Sequence, residues 1–329
     1  MIDYILRRVL MAGITIVVVS VISFIIIQLP PGDYVSAYIS AMASSGDSTT
    51  QEMAEGLREQ YGLNRPVYVQ YWKWISQILQ GNLGVSMEWR RPVMEVIGDR
   101  IWFTLIVSLS AIFFTWIVAL PIGIFSAVRK YSIGDYLATF IGFIGLAIPD
   151  FLLALVLMYI GFRYFNANIG GLFSPEFQEA PWSFARFVDM LAHLWLPAMI
   201  LGLSGTASLI RIMRANLLDE LRKPYVLTAR AKGLSYQRVV LKYPVRVALN
   251  PFVSTIGYLL PQVIGGSVIV SMVISLPTLG PILLRALISQ DMFMAGAIVL
   301  LMGVLTVIGT LLSDILLIWI DPRIRMENR

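Results

Sequence analysis

The segment from Pro224 to Arg246 holds the side chains of this chain that are best suited to binding an anion or an acidic surface. It carries several cations and no acid, in a sequence in which charged residues are only 14% of the total. The cations are Arg230, Lys232, Arg238, Lys242 and Arg246. Groups of this kind can bind a nucleic acid, hold a phosphate or pair with an acidic protein surface. A loop that stays in the cytoplasm while its neighbours cross a membrane carries the same charge.

Two of these chemistries lack the sequence features that accompany them. Nucleic-acid sites usually interleave basic residues with aromatic stacking surfaces or lie in a known reading module, and neither feature is evident here. A nucleotide site needs a glycine-rich cradle such as G-x-x-x-x-G-K-[ST], which the sequence lacks. We therefore expect the chain neither to bind nucleic acid nor to hydrolyse ATP itself.

Catalytic and metal sites are also not expected. The sequence has no cysteine and a single histidine, His193, which cannot form a metal cage alone. No Ser/His/Asp set or pair of inward carboxylates suggests an enzyme. A membrane scaffold or enzyme stays an open but weaker alternative.

The elements that position the basic segment are membrane spans. Hydrophobic residues make up 57% of the 329 residues, and the mean hydropathy is +0.76. Uninterrupted apolar runs of this length favour helices over barrel strands, because about 20 residues of helix cross a hydrocarbon core. We predict an all-α polytopic membrane protein with six transmembrane helices. They are placed near residues 9–29, 101–127, 136–164, 191–210, 251–276 and 292–320.

The distribution of positive charge predicts the orientation. Most of the 25 lysines and arginines fall at the two ends and in the second and fourth connections between spans. Positive flanks are retained in the cytoplasm, so both termini are predicted to be cytoplasmic. The predicted division is residues 1–30 with the first span, an extracytoplasmic cap over 31–100, and a core over 101–329 with five spans and an inner loop at 211–249. Two short amphipathic helices, 51–61 and 68–79, are predicted in the cap.

The inner loop has helix signals of its own. Pro224 suits the first turn of a helix, and Gly233 suits a stop in the left-handed conformation. Ser235 suits the N-cap of a second helix, which Pro244 should kink. Retained positive charge alone does not account for this ordered pattern.

The stretch "YVLTARAKGLS", residues 225–235, resembles the cytoplasmic coupling motif of bacterial ABC importer permeases. That motif is an E-A-A-x-x-x-G loop, with the variant T-A-R-A-K-G in peptide-type systems. The resemblance extends over nearly the whole chain. It includes "YILRRVL" and "ISFIIIQLPPGD" at the start, "LREQYGLNRPVYVQYWKWISQILQGNLGVSM" at 57–87, and "SLPTLGPILLRALISQDM" with "DPRIR" towards the end.

The resemblance implies a permease subunit of the dipeptide, oligopeptide and nickel type, which spans the bacterial cytoplasmic (inner) membrane several times. Such a subunit pairs with a second, related permease subunit, two ATPase subunits and an extracytoplasmic solute-binding protein. The chain itself would bind no cofactor, since ATP and Mg are held by the ATPases. The implied coupling residues are Tyr225, Thr228, Ala229, Arg230, Ala231, Lys232 and Gly233. Thr228 stands where the consensus has an acid, which matches the peptide-type variant.

Polar and helix-breaking residues within the spans are candidates for the translocation path. They are Asp150, Pro261, Gln262 and Gly265. Polar groups at membrane depth are costly and often functional. Helix packing is an equally ordinary use of glycine and proline in membrane helices, and it is the favoured alternative.

The substrate stays open at this point. The resemblance implies peptides first, with oligosaccharides or nickel chelates as alternatives. Residues 33–50 look longer than in a typical peptide permease, which raises the oligosaccharide alternative. A secondary transporter is a further alternative, but it would need its own coupling-ion site near the midplane.

Overall fold

The computed structural model describes residues 2–28, 35–36, 55–56, 58–59, 62–165 and 169–320. These residues are helical throughout, apart from connecting loops and an isolated bridge between Val85 and Pro92. The helices in chain order are α1 (Ile2–Gln28), α2 (Val67–Leu79), α3 (Val93–Val128), α4 (Ile133–Ala147), α5 (Asp150–Phe165), α6 (Phe184–Leu221), α7 (Pro224–Ala231), α8 (Tyr236–Lys242), α9 (Pro244–Ser254), α10 (Ile256–Val273), α11 (Leu279–Ile288) and α12 (Met292–Ile320).

Four helices in the described part are long and apolar enough to cross a membrane. They contain Leu6–Ile25, Val93–Val128, Phe184–Leu221 and Met292–Ile315, and they fall on the predicted first, second, fourth and sixth spans. The all-α, membrane-spanning class is therefore confirmed. The predicted fifth span, 251–276, falls on the end of α9 and on α10, which Thr255 separates. The number six stays a prediction.

The predicted third span, 136–164, is not one uninterrupted helix. It consists of α4 and α5, which are bent by 100° at the break between them. Pro149 is the physical cause, because its ring disfavours the helical conformation in the preceding residue. Ile148 is accordingly extended, with φ −87° and ψ 122°. This pair raises the number of candidate spans to five if it crosses once.

One of two compact units comprises Thr104–Pro277 and the chain from Ile308. Its central core joins α3, α6, α8 and α9. The buried side chains of this core are Ala119, Ala127, Leu209, Ile210, Met213, Leu217, Val240, Val245, Ala248 and Phe252. Close helix approach needs glycine at Gly202, where a Cβ would lie 2.8 Å from the carbonyl oxygen of Ala111. The core thus ties the inner loop to the long helices α3 and α6.

The other unit comprises Ile2–Phe103 and Thr278–Val307. Helix α2 confirms the predicted amphipathic helix at 68–79, whereas most of the predicted helix at 51–61 lies outside the described residues. Trp74 of α2 is only 1% exposed and packs in a cluster with Phe24 of α1 and with Met87. Met87 belongs to the loop Gly84–Pro92, which we call the 84–92 loop.

A buried carboxylate fixes the 84–92 loop to the start of α12. Asp291 is 0% exposed and accepts hydrogen bonds from the Ser86 hydroxyl at 2.5 Å, the Glu88 N–H at 3.1 Å and the Met294 N–H at 3.1 Å. Nearby, Arg285 of α11 forms an ion pair with Glu88 at 2.6 Å. The loop is therefore held by specific polar bonds as well as by the packing of Met87.

Candidate functional site

The inner loop folds as two short helices with a turn between them, which we call the α7–α8 hairpin. Pro224 occupies the first turn of α7, and Gly233 follows α7 with φ +79°, as the sequence predicts. Glycine suits this turn because other residues are strained at that φ. Ser235 occupies the N-cap position of α8, but its hydroxyl makes no capping bond. Pro244 does not kink α8 as predicted: α8 ends at Lys242, and Pro244 begins α9.

A small apolar cluster holds the hairpin together. Val226 and Ala229 of α7 are 3% and 7% exposed and pack against Val239 of α8, with Leu234 and Tyr243 beside them. Ala229 therefore faces the interior of the hairpin rather than its surface. Its small side chain lets α7 lie close to α8.

The opposite side of α7 is exposed. It carries Pro224, Leu227, Thr228 and Ala231, which recur at helical spacing. Leu227 is 62% exposed, and the Thr228 hydroxyl is bonded to the carbonyl oxygen of Pro224 at 3.1 Å. This side of α7 is consequently uncharged and mostly apolar. Leu227 is not among the predicted site residues, although its helical spacing from Pro224 and Ala231 indicates that it shares their face.

Exposed cations lie beside this apolar face. The guanidinium of Arg230 lies 5.5 Å from the ring of Tyr236, a cation–π contact across the turn. Lys232 is exposed at the end of α7, where its N–H bonds the carbonyl oxygen of Thr228 at 3.1 Å. The exposed side of α7 thus combines an apolar centre with positive charge at one end.

Tyr225 ties the start of α7 to the last turn of α6. Its hydroxyl donates to a carboxylate oxygen of Glu220 at 2.5 Å. Partial burial, followed by this bond to an anion, raises the pKa of the Tyr225 hydroxyl above its ordinary value of 10.0. The phenol is therefore neutral at physiological pH and acts as a donor.

The residues predicted for the translocation path lie on two helices that contact each other, α5 and α10. Asp150 is partly buried in the first turn of α5, directly after the 100° bend. Gly265 is exposed on α10, and a Cβ there would have no neighbour within 4 Å. Pro261 and Gln262 also fall on α10, but their side chains lie outside the described part. Among the described residues, no three His, Cys, Asp or Glu side chains form a group that could hold a metal ion.

Comparison with known proteins assigns a class to this arrangement. Residues 119–326 match the family described as binding-protein-dependent transport system inner membrane component, and residues 1–110 match the family of its N-terminal segment. The chain belongs to this family and is a multi-pass permease subunit of the bacterial inner membrane.

Curated relatives match along the full length. The oligopeptide transport system permease protein AppB of Bacillus subtilis is 37% identical over 322 residues, which is 98% of each chain. The glutathione transport system permease protein GsiC of Salmonella typhimurium is 32% identical over 327 residues, covering 99% of this chain and 100% of the relative. GsiC of Escherichia coli O6:H1 shows the same identity and coverage.

Proposed function

We propose that the chain is one permease subunit of an ATP-driven importer that moves peptides into the cell. The family membership supports a permease that works with a solute-binding protein and ATPase subunits. The names of the relatives, an oligopeptide and a glutathione transport protein, support peptides over oligosaccharides or nickel chelates. ATP and Mg belong to the partner ATPases, and a second related permease subunit completes the membrane path.

In the proposed topology, six spans cross the bilayer with both termini inside. They are α1, α3, the broken pair α4–α5, α6, α10 and α12. The α7–α8 hairpin follows α6 and therefore lies on the cytoplasmic side. The positive charge of the chain supports this orientation, since Arg7, Arg8, Arg129 and Lys130 flank the same side as the hairpin.

The observation that carries the proposal is the exposed side of α7. Its apolar centre at Leu227, Thr228 and Ala231 fits the floor of a shallow cleft on a partner protein. The cations Arg230 and Lys232 fit an acidic rim around that cleft. Ala229 acts from within, since it lets α7 lie close to α8. We infer that this side of α7 docks into an ATPase subunit.

The proposed mechanism is alternating access. ATP binding closes the ATPase pair, the docked hairpins move with the ATPases, and the two permease subunits open the path outward to receive substrate from the binding protein. Hydrolysis then returns the path to the inward-open state. The 100° bend next to Asp150 is the proposed place where the path changes shape.

Charge reversal on α7 tests the docking role. The double variant Arg230→Glu/Lys232→Glu should insert normally but lose most ATPase co-purification and most uptake. The matched control is Arg238→Glu/Lys242→Glu, which makes the same change in charge on α8. Normal ATPase capture and uptake by the α7 variant, in a stably inserted protein, would contradict the proposal. Equal losses in both variants would indicate a general charge effect instead.

The substrate class needs a separate measurement. The cognate binding protein is titrated with peptide and oligosaccharide libraries, and the best ligand is then offered to the reconstituted complex. We expect binding and uptake of short peptides. Uptake that persists when the partner ATPases cannot bind ATP would instead indicate a secondary transporter.

A further inference from the structure

Asp135 and Arg214 form a partly buried ion pair that joins two helices of the same unit. The Arg214 guanidinium donates from Nε to one carboxylate oxygen of Asp135 at 2.9 Å and from Nη2 to the other at 2.8 Å. The side chain of Asp135 is 2% exposed and that of Arg214 is 28% exposed. This two-point geometry fixes the orientation of both side chains, and hence of α4 against α6.

Two further donors complete the surroundings of Asp135. The Ser126 hydroxyl of α3 bonds one carboxylate oxygen, and the Tyr131 N–H bonds the other at 2.9 Å. Ser126 itself is 0% exposed. The carboxylate therefore gathers the end of α3, the 129–132 turn, the start of α4 and the body of α6 at a single point.

The pair is placed between the hairpin and the broken span. Arg214 lies about two helical turns before the end of α6, and the α7–α8 hairpin follows directly. Met213 and Leu217, which flank Arg214 on α6, are buried in the core that also holds Val240 of α8. Asp135 lies in the first turn of α4, which leads to the bend at Pro149.

A contribution to the stability of the fold does not by itself explain such a pair. Buried ion pairs often contribute no more than well-packed apolar residues of similar volume, because removing both charges from water is costly. What the pair supplies is a fixed alignment of α4 on α6. Apolar contacts between two helices can slide, whereas a two-point guanidinium–carboxylate bond has one geometry.

We propose that the Asp135–Arg214 pair is a positioning element that makes α4 move with α6 when the α7–α8 hairpin is displaced. This proposal rests on the proposed function, in which an ATPase displaces the hairpin. The hairpin moves α6 through the core around Met213, the ion pair passes that movement to α4, and the bend at Pro149 turns it into a change in α5.

The test uses the complete complex with its partner permease, ATPases and binding protein in lipid vesicles. The chain has no native cysteine, so Leu152→Cys on α5 and Leu191→Cys on α6 are the only sites in this chain that a thiol-specific spin label would modify. Both native side chains are exposed. The distance between the labels is measured without nucleotide and with Mg-ATP plus vanadate, and ATPase turnover is measured in parallel.

We expect Asp135→Asn to keep at least half of the ATPase turnover while uptake falls about tenfold. The nucleotide-driven change in the α5–α6 distance should differ from the native one, because α6 then moves without α4. Arg214→Lys, which keeps the charge but not the two-point geometry, should give an intermediate effect, and Asp135→Glu should give a distance change close to the native one. The matched control is Glu88→Gln, which removes the partly exposed ion pair to Arg285 and should leave the α5–α6 distance change intact.

Three results are distinguishable from the expected one. A normal distance change and normal uptake in Asp135→Asn and Arg214→Lys would overturn the proposal. A parallel fall of ATPase turnover, distance change and assembled complex would also overturn it, because the pair would then be a folding contact only. Absence of any nucleotide-driven change in the complex with the native pair would count against the proposed function, before the variants are compared.

Discussion

The α7–α8 hairpin and the 84–92 loop are both ordered connections, yet they are held in opposite ways. The hairpin is held by a few apolar side chains, Val226, Ala229 and Val239, and most of the surface of α7 is exposed. The 84–92 loop is held by the fully buried carboxylate of Asp291, which accepts three hydrogen bonds, and by Met87 in the cluster around Trp74.

This difference indicates different tasks. A segment that docks on a partner, as we propose for the hairpin, needs an accessible face. A segment tied by buried polar bonds has one geometry and little freedom, since each unpaired group would remain buried at a cost. The 84–92 loop is therefore a fixed part of its unit, whereas the hairpin has the exposed face that the proposed docking needs.

The largest expected effect is on the cluster that supports the 84–92 loop. Trp74→Ala should lower the free energy of unfolding by about 3–5 kcal/mol, as large-to-small changes of buried aromatic residues do. Trp72→Ala, on the same helix but with a side chain that is 72% exposed, should change it by less than about 0.5 kcal/mol. Thermal unfolding in detergent checks both variants. Similar losses would mean that the two tryptophans have similar surroundings.

The next effect is on the polar attachment itself. Asp291→Ala leaves the Ser86 hydroxyl and the N–H groups of Glu88 and Met294 without their acceptor, and should cost about 3 kcal/mol. Thr228→Ala in the hairpin removes a bond to an exposed turn of its own helix and should cost little. Proteolysis at the 84–92 loop is the readout. Unchanged protection in Asp291→Ala would show that packing alone fixes the loop.

Local rules decide several features of the structure, and these features are predictable from the sequence. The start of α7 follows from the missing N–H of Pro224, and its end follows from the left-handed conformation at Gly233. The long spans follow from apolar length alone, and four of them lie where the sequence places them. Such features need only neighbouring residues, so they can be predicted from a single sequence.

Features that depend on residues distant in sequence were not predicted. Pro149 breaks its span, whereas Pro121 and Pro197 lie inside the continuous helices α3 and α6, so a proline alone does not decide where a span is broken. Asp135 pairs with Arg214, 79 residues away in sequence, and Asp291 accepts a bond from Ser86, 205 residues away. The burial of Ala229 depends on Val239 across the turn. These pairings follow from the tertiary fold, which periodicity does not specify.

A smaller effect separates the turn of the hairpin from the turn that precedes the 84–92 loop. Gly233 and Gly81 have φ +79° and +80°, and a Cβ at either position would meet nothing within 4 Å. Substitution by alanine therefore adds only backbone strain, about 1–2 kcal/mol in each case. Gly233→Ala should increase amide hydrogen exchange in α7 and reduce ATPase capture, whereas Gly81→Ala should leave capture normal. Loss of capture in both variants would argue against a specific role of the hairpin turn.

The smallest effect concerns the polar tie of the hairpin to α6. Burial and the bond to Glu220 raise the pKa of Tyr225, whereas Lys130 lowers the pKa of Tyr131, so the two phenols should ionise at well separated pH values. Because the folded-state pKa of Tyr225 lies above the unfolded value of about 10, its contribution to stability is complete below pH 10 and is lost as the pH rises further. Ultraviolet difference titration of Tyr225→Phe and Tyr131→Phe checks this order, and Glu220→Gln should lower the pKa of Tyr225. A Tyr225 that ionises together with Tyr131 would mean that its hydroxyl is not tied to Glu220, leaving the hairpin attached to α6 by apolar contacts alone.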